Sequence, residues 1–248
     1  IMHRNSLHGY ISDRIEKIKK HLNDFGTKHK TKSLHLLRIE IKKIRAVVSF
    51  AERFELASID IGVLKPLFGQ AGKIRELSIN RNLLGELPEQ PELLQSQLKS
   101  EEDFLIQQFI GSIPDYLKSI ASFINNFTDP ADFPAKKQIK KYFAGQIVKA
   151  YADYEKREKT GLHRFRKRIK KLMYIYEFLP LNLCKSIKIN ISNMDKIQEK
   201  TGVWRDTYTA IDFFSQPKFP EMSENLSKLR ANEEKRWNAL FGKSLKLQ

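Results

Sequence analysis

The stretch 162-LHRFRKRIKKLMYIYEF-178 sets one histidine at the head of a dense run of cations. Upstream by 128 positions, the chain reads 34-LHLLRIEIKKIRAVVSF-50. Both begin Leu-His-x-x-Arg and continue Ile-Lys-Lys three residues after the arginine. On a helix advancing about 100° per residue, His35, Arg38, Lys42 and Arg45 fall within an arc of roughly 80°. Leu34, Leu37, Ile41, Ile44 and Val48 occupy the neighbouring arc. The second copy repeats the pattern, with His163, Arg166 and Lys170 on the polar arc and Leu162, Phe165, Ile169, Leu172 and Tyr176 on the apolar one. Met173 stands where the first copy has Arg45, so the second stripe is one cation shorter. Lys43 and Lys171 lie off the stripes and reach a ligand only from the edge.

A second pair of segments extends the repeat. Ala71 opens "AGKIREL" and Thr201 opens "TGVWRDT", a separation of 130. Each holds a glycine and then an arginine followed by an acid. Two matches in the same order at nearly the same offset indicate internal duplication. The first repeat covers about 1–127 and the second about 135–248. The proline- and aspartate-rich "TDPADFP" at 128–134 reads as the linker.

Strand signals are scarce and helical periodicity is widespread, so the fold class is all-α. Expected helices cover about 6–25 (ended by Gly26), 33–55, 59–84 with Pro66 near the first turn, and 92–127 interrupted at 111–114. In the second half they cover about 136–159, 162–179 (stopped by Pro180), 187–214 and 221–246. Each half is thus a bundle of roughly four helices.

The 248 residues carry 45 Lys+Arg against 29 Asp+Glu, a formal charge of +16. Such an excess costs self-repulsion unless an anion offsets it. It is also uneven. Residues 1–55 hold 13 basic and 6 acidic side chains, 86–132 hold 2 and 9, and 133–188 hold 16 and 4. The two basic segments contain the two motif copies. A basic helix face is ordinarily a solvated one. Here Arg38 with Lys42, and Arg166 with Lys170, place like charges four apart, which destabilises a helix. A costly arrangement that occurs twice implies a compensating anion, and a linear track suits a linear polyanion.

The single Cys184 excludes an internal disulfide framework and a cysteine-rich zinc site, and it fits a reducing compartment. No apolar run is long enough to span a bilayer. No P-loop, Gly-rich dinucleotide turn, G-x-S-x-G or HExxH is present, so no catalytic role or cofactor is expected. Arginine and lysine neighbour both histidines where a metal site would need further ligands. Arg205–Asp206, with Arg75–Glu76 as its equivalent, reads as a local network orienting its helix.

The residues His35-x-x-Arg38 with Lys42, Lys43 and Arg45, then His163-x-x-Arg166 with Lys170, Lys171, Tyr174 and Glu177, together with "GVWRDTY", resemble the CHAD domain, the conserved histidine α-helical domain. The resemblance covers nearly the whole chain. It implies two similar antiparallel helical bundles about a pseudo-twofold axis, with both motif helices lining a basic central channel. It implies non-catalytic binding of inorganic polyphosphate in the cytoplasm, with association to polyphosphate granules. The binding residues carried over are His35, Arg38, Lys42, Lys43, Arg45, His163, Arg166, Lys170 and Lys171, with Arg75, Arg205, Asp206 and Tyr174 in structural or secondary roles. Met173 departs from an expected arginine, Lys42 and Lys43 stand where arginine is common, and Glu76 replaces the usual aspartate. Lysine forgoes bidentate phosphate recognition. Nucleic-acid binding is the alternative the same charge would serve. Metal binding and phosphoanhydride processing rank below it.

Overall fold

A computed structural model describes residues 6–87, 91–125, 134–242 and 245–248. Every regular element among them is helical. The helices are α1 (Leu7–Lys28), α2 (Thr31–Arg53), α3 (Leu64–Gly85), α4 (Glu92–Gly111), α5 (Ile113–Asn125), α6 (Lys136–Glu155), α7 (Lys159–Phe178), α8 (Leu181–Cys184), α9 (Ile191–Phe214) and α10 (Ser223–Phe241). A 3₁₀ turn at Pro220–Met222 leads into α10.

The motif helices form because burial outweighs charge repulsion. On α2 the whole apolar arc of Leu34, Leu37, Ile41, Ile44 and Val48 is buried, as are Leu162, Phe165, Ile169 and Leu172 on α7. Burying one such side chain stabilises by roughly 2 kcal/mol. A like-charge pair one turn apart costs only about 0.5 kcal/mol.

The chain divides into two compact units. The first lies within Ile1–Ser78, Lys99–Ile139 and Tyr174–Lys185, and the second within Ile79–Leu98, Lys140–Met173 and Ser186–Gln248. In the first, α1 packs against α2 and α5. Phe25 meets Phe109 edge-on with centroids 5.3 Å apart, and Tyr10 meets Phe178 at 5.1 Å. In the second, α9 packs on α10. Trp204, Trp237, Phe241, Tyr154 and Phe165 form a chain of ring contacts with successive centroids 4.9 to 5.1 Å apart.

Several boundaries differ from the sequence expectation. Helix α1 runs through Gly26 and stops at His29, which takes the left-handed conformation (φ 51°) and donates its N–H to the Phe25 carbonyl. Gly26 instead admits α5, since a Cβ there would lie 3.2 Å from Ile113. The helix expected from 187 begins at Ile191, where the Asn190 side chain caps it by accepting from the Asn193 N–H at 3.0 Å. The short α8 fills part of the interval after Pro180. The last helix ends at Phe241 rather than near 246. Beyond it Leu247 is fully buried, its carbonyl accepting from Asn190 N–H and its N–H donating to the Tyr151 hydroxyl. Those bonds tie the Leu247 backbone to Asn190 and Tyr151. The expected linker lies outside the described residues except for Pro134, as does the end of the fourth expected helix at 126–127.

Candidate functional site

In the first unit the stripe of α2 faces α3. Arg38 lies across Gly72: a Cβ on that glycine would come within 2.5 Å of Nη1 and 3.2 Å of Cζ. The Arg38 Nη1 donates to the Phe68 carbonyl, one turn before Gly72. Its guanidinium also sits over the Phe68 ring, 3.9 Å from the centroid. Arg45 approaches the same ring at 4.1 Å and Lys42 at 5.8 Å. His35 is bonded through Nδ1 to Nη1 of Arg75 on α3. Arginine can only donate, so Nδ1 is the acceptor in this contact.

The second unit repeats this arrangement on α7 and α9. Arg166 lies across Gly202, where a Cβ would come within 2.8 Å of Nη2. Its Nε donates to the Gln198 carbonyl at 3.1 Å. Gln198 is 130 positions after Phe68, and Gly202 is 130 after Gly72. The two motif pairs noted in the sequence are therefore the two faces of one helix–helix contact, present in each unit.

The electrostatics of both clusters disfavour charge. Burial, with Arg75 and Arg45 acting in the same direction and Glu76 against them, holds the Arg38 guanidinium down to about 10. Burial likewise lowers Arg45. His163 is held below the ordinary histidine range first by burial, then by Arg205, Lys167 and Arg166. Its Nδ1 is buried without a hydrogen-bond partner. Arg38, Arg45, Lys42 and Arg75 thus crowd positive charge about Phe68 and His35, with Glu76 acting on Arg38 in the opposite sense.

The remaining expected residues fall in different surroundings. Lys42, Lys170, Lys171 and Tyr174 are half-buried on their helices. Lys43 points away from the stripe into an ion-pair cluster, 2.9 Å from Glu177 and 3.7 Å from Glu40. Arg14, with its side chain only 9% exposed, completes that cluster at 3.1 Å from both carboxylates and also contacts Asp13. Arg205 lies over the Tyr208 ring at 5.1 Å, and Lys159 approaches that ring at 4.6 Å. Arg75 thus serves His35, and Arg205 adds to the field at His163. Asp206 is half-buried beside Arg205.

Sequence reasoning missed Phe68, Lys167 and the neighbours of Trp204, whose indole donates to the buried Glu233 at 2.7 Å. Phe68 has no chemical counterpart at Gln198, so the repeat could not reveal it. Its place one turn before the repeated glycine was the available signal. Among the described residues no group of three or more His, Cys, Asp or Glu is arranged to hold a metal ion. No described helix is long and apolar enough to cross a membrane.

The regular elements among the described residues are all helical, with Arg38 on Gly72 and Arg166 on Gly202 as matching helix contacts. The family model of the CHAD domain matches residues 63–215, and the chain belongs to that family. The match begins downstream of the first motif copy. The crystal structure of the CHAD domain from the plant Ricinus communis is similar with a TM-score of 0.72 at 14% identity, covering 98% of this chain and 93% of that one. At that identity the likeness speaks to the fold. No curated protein matches the chain.

Proposed function

We propose that this protein binds inorganic polyphosphate through the cation clusters of α2 and α7, without catalysing a reaction on it. The observation that carries the reading is the gathering of Arg38, Arg45 and Lys42 about one ring of α3, with Arg75 of the same helix bonded to His35. A phosphate chain supplies counter-charge to such a cluster, and guanidinium groups suit phosphate oxygens as bidentate donors. Bound phosphate would also favour the charged form of His163, allowing both ring nitrogens to donate. The α2 stripe from His35 to Arg45 runs roughly 15 Å along its helix and the α7 stripe from His163 to Lys170 about 10 Å. Orthophosphate can meet only part of that length, whereas a linear chain meets successive cations as a tethered ligand. Duplication of a half-domain, about 1–127 and 135–248, accounts for the repeated contact. Lys171 stands at the stripe edge, Lys43 is engaged by Glu177 and Glu40 instead, and the reading places the protein in the cytoplasm beside polyphosphate stores.

The test is direct binding of orthophosphate, short chains and long chains across a salt series, with single-stranded RNA as competitor. Affinity should climb with chain length. Log K should fall against log salt with a slope of roughly 0.7 per phosphate neutralised, by analogy with single-stranded nucleic acid. Equal affinity for orthophosphate and long chains overturns the reading. Preferential displacement by RNA points to nucleic acid as the ligand.

A further inference from the structure

The two stripes are not equivalent, and Phe68 is where they part. Its ring receives Arg38 at 3.9 Å, Arg45 at 4.1 Å and Lys42 at 5.8 Å, while its carbonyl accepts from Arg38. One half-buried residue on α3 therefore gathers three cations from three turns of α2. An aromatic face attracts cations that otherwise repel one another. A guanidinium held by its face keeps its N–H edge available for hydrogen bonds. In the second unit the position 130 residues later is Gln198, whose side chain donates to Asp195 at 2.9 Å. There the counterpart of Arg45 is Met173. The ring and the cation farthest along the stripe are thus replaced together.

We propose that Phe68 is a positioning residue that pre-organises Arg38, Lys42 and Arg45 for consecutive phosphates, making the α2 stripe the tighter of the two. The inference rests on the polyphosphate reading and deepens it. A long cation fixed before the ligand arrives loses less rotamer freedom on binding. The gain is in affinity at an unchanged number of charges, which separates this role from that of another ligand cation.

The experiment compares long-chain polyphosphate binding by the full chain with Phe68 intact, Phe68→Leu, Phe68→Met and Phe68→Trp, at several salt concentrations, with thermal unfolding of each. Phe68→Leu and Phe68→Met should bind about tenfold more weakly, the scale of losing pre-organisation for two long side chains. Their salt slopes should match the parent, because no phosphate contact is removed. Phe68→Trp should keep affinity within about twofold, since indole is the better cation acceptor. Side-chain NMR of the arginine Nε–H groups in the free protein should show Arg38 and Arg45 ordered, and both mobilised by Phe68→Met. Unchanged or tighter binding by Phe68→Leu and Phe68→Met, with the parent still binding, overturns this inference alone. A parent that does not bind polyphosphate overturns the polyphosphate reading and the positioning role with it.

Discussion

Arg38 rests on Gly72 so closely that a Cβ at that glycine would lie 2.5 Å from its guanidinium, and Arg166 stands in the same relation to Gly202 at 2.8 Å. Gly72→Ala and Gly202→Ala therefore test the contact directly. Alanine gains about 1 kcal/mol of helix propensity over glycine. Against that, an arginine pushed off the Phe68 or Gln198 carbonyl leaves a partly buried charged donor without that partner, which costs about 1.5–3 kcal/mol. Each substitution should destabilise by about 1 kcal/mol net and weaken polyphosphate binding, measured by chemical unfolding and by titration. A stabilised variant with full affinity would show that the arginine relocates without consequence.

Removing the arginines themselves should separate binding from folding. The Phe68 and Gln198 carbonyls lie inside α3 and α9, where they also accept the helical N–H four residues on. Arg38→Ala with Arg166→Ala thus leaves neither carbonyl orphaned, and it removes a guanidinium whose charge burial, Arg75 and Arg45 disfavour. Unfolding free energy should change by less than about 1 kcal/mol, while polyphosphate affinity falls by at least tenfold. An unfolded double variant would assign both arginines to the scaffold.

His163 gives a pH dependence of opposite sign in the free and bound protein. Its folded value lies below the ordinary 6.5 because burial, Arg205, Lys167 and Arg166 disfavour the imidazolium. Its contribution to stability is therefore complete above 6.5 and is lost as pH falls from there through the folded value. Bound phosphate favours the imidazolium, so binding takes up a proton and tightens over that same acidic window. Thermal unfolding and affinity measured from about pH 7.5 to about pH 5.5 should move in opposite directions, and His163→Gln should flatten both. Affinity independent of pH in the parent would remove His163 from the ligand.

The cluster of Arg14, Glu40, Glu177 and Lys43 should behave as scaffold. Glu40→Gln strips one of the two carboxylates 3.1 Å from the buried Arg14. Breaking a buried pair outright costs about 3–5 kcal/mol, and with Glu177 and Asp13 still present roughly 2 kcal/mol is expected. Lys43→Gln should cost under about 1 kcal/mol and lower polyphosphate affinity less than Lys42→Gln does. The reverse order of affinities would place Lys43 on the ligand.

Restoring the missing cation should strengthen the second stripe. Met173→Arg adds a charge at the counterpart of Arg45, so the salt slope should steepen by roughly 0.7 and affinity should rise. An unchanged slope would mean that position 173 does not face the phosphate chain.

Much of the motif helices was legible because their period-3.6 pattern is carried within single turns. The buried arc Leu34, Leu37, Ile41, Ile44 and Val48 is the one the sequence marked. Helix ends were less legible because they depend on remote groups. Gly26 reads as a stop, yet α1 continues to Lys28, and the glycine instead gives Ile113 of α5 room to approach. The last helix reads on past Phe241, yet Leu247 is drawn into the core and bonded to Asn190 and Tyr151.

By itself the sequence determined the helical class, the repeated His-x-x-Arg and Gly-x-x-Arg segments, and the crowding of like charge. All three follow from local spacing and composition. Only the tertiary structure decided that the repeated segments face each other, arginine on glycine. Only it decided that Lys43 turns to Glu177, and that Phe68 collects Arg38 and Arg45. The physical reason is that a helix period says which residues share a face but not what that face meets. Packing between α2 and α3, and between α7 and α9, chooses the partner of each charge, and the partner sets whether that charge is buried, paired or held ready.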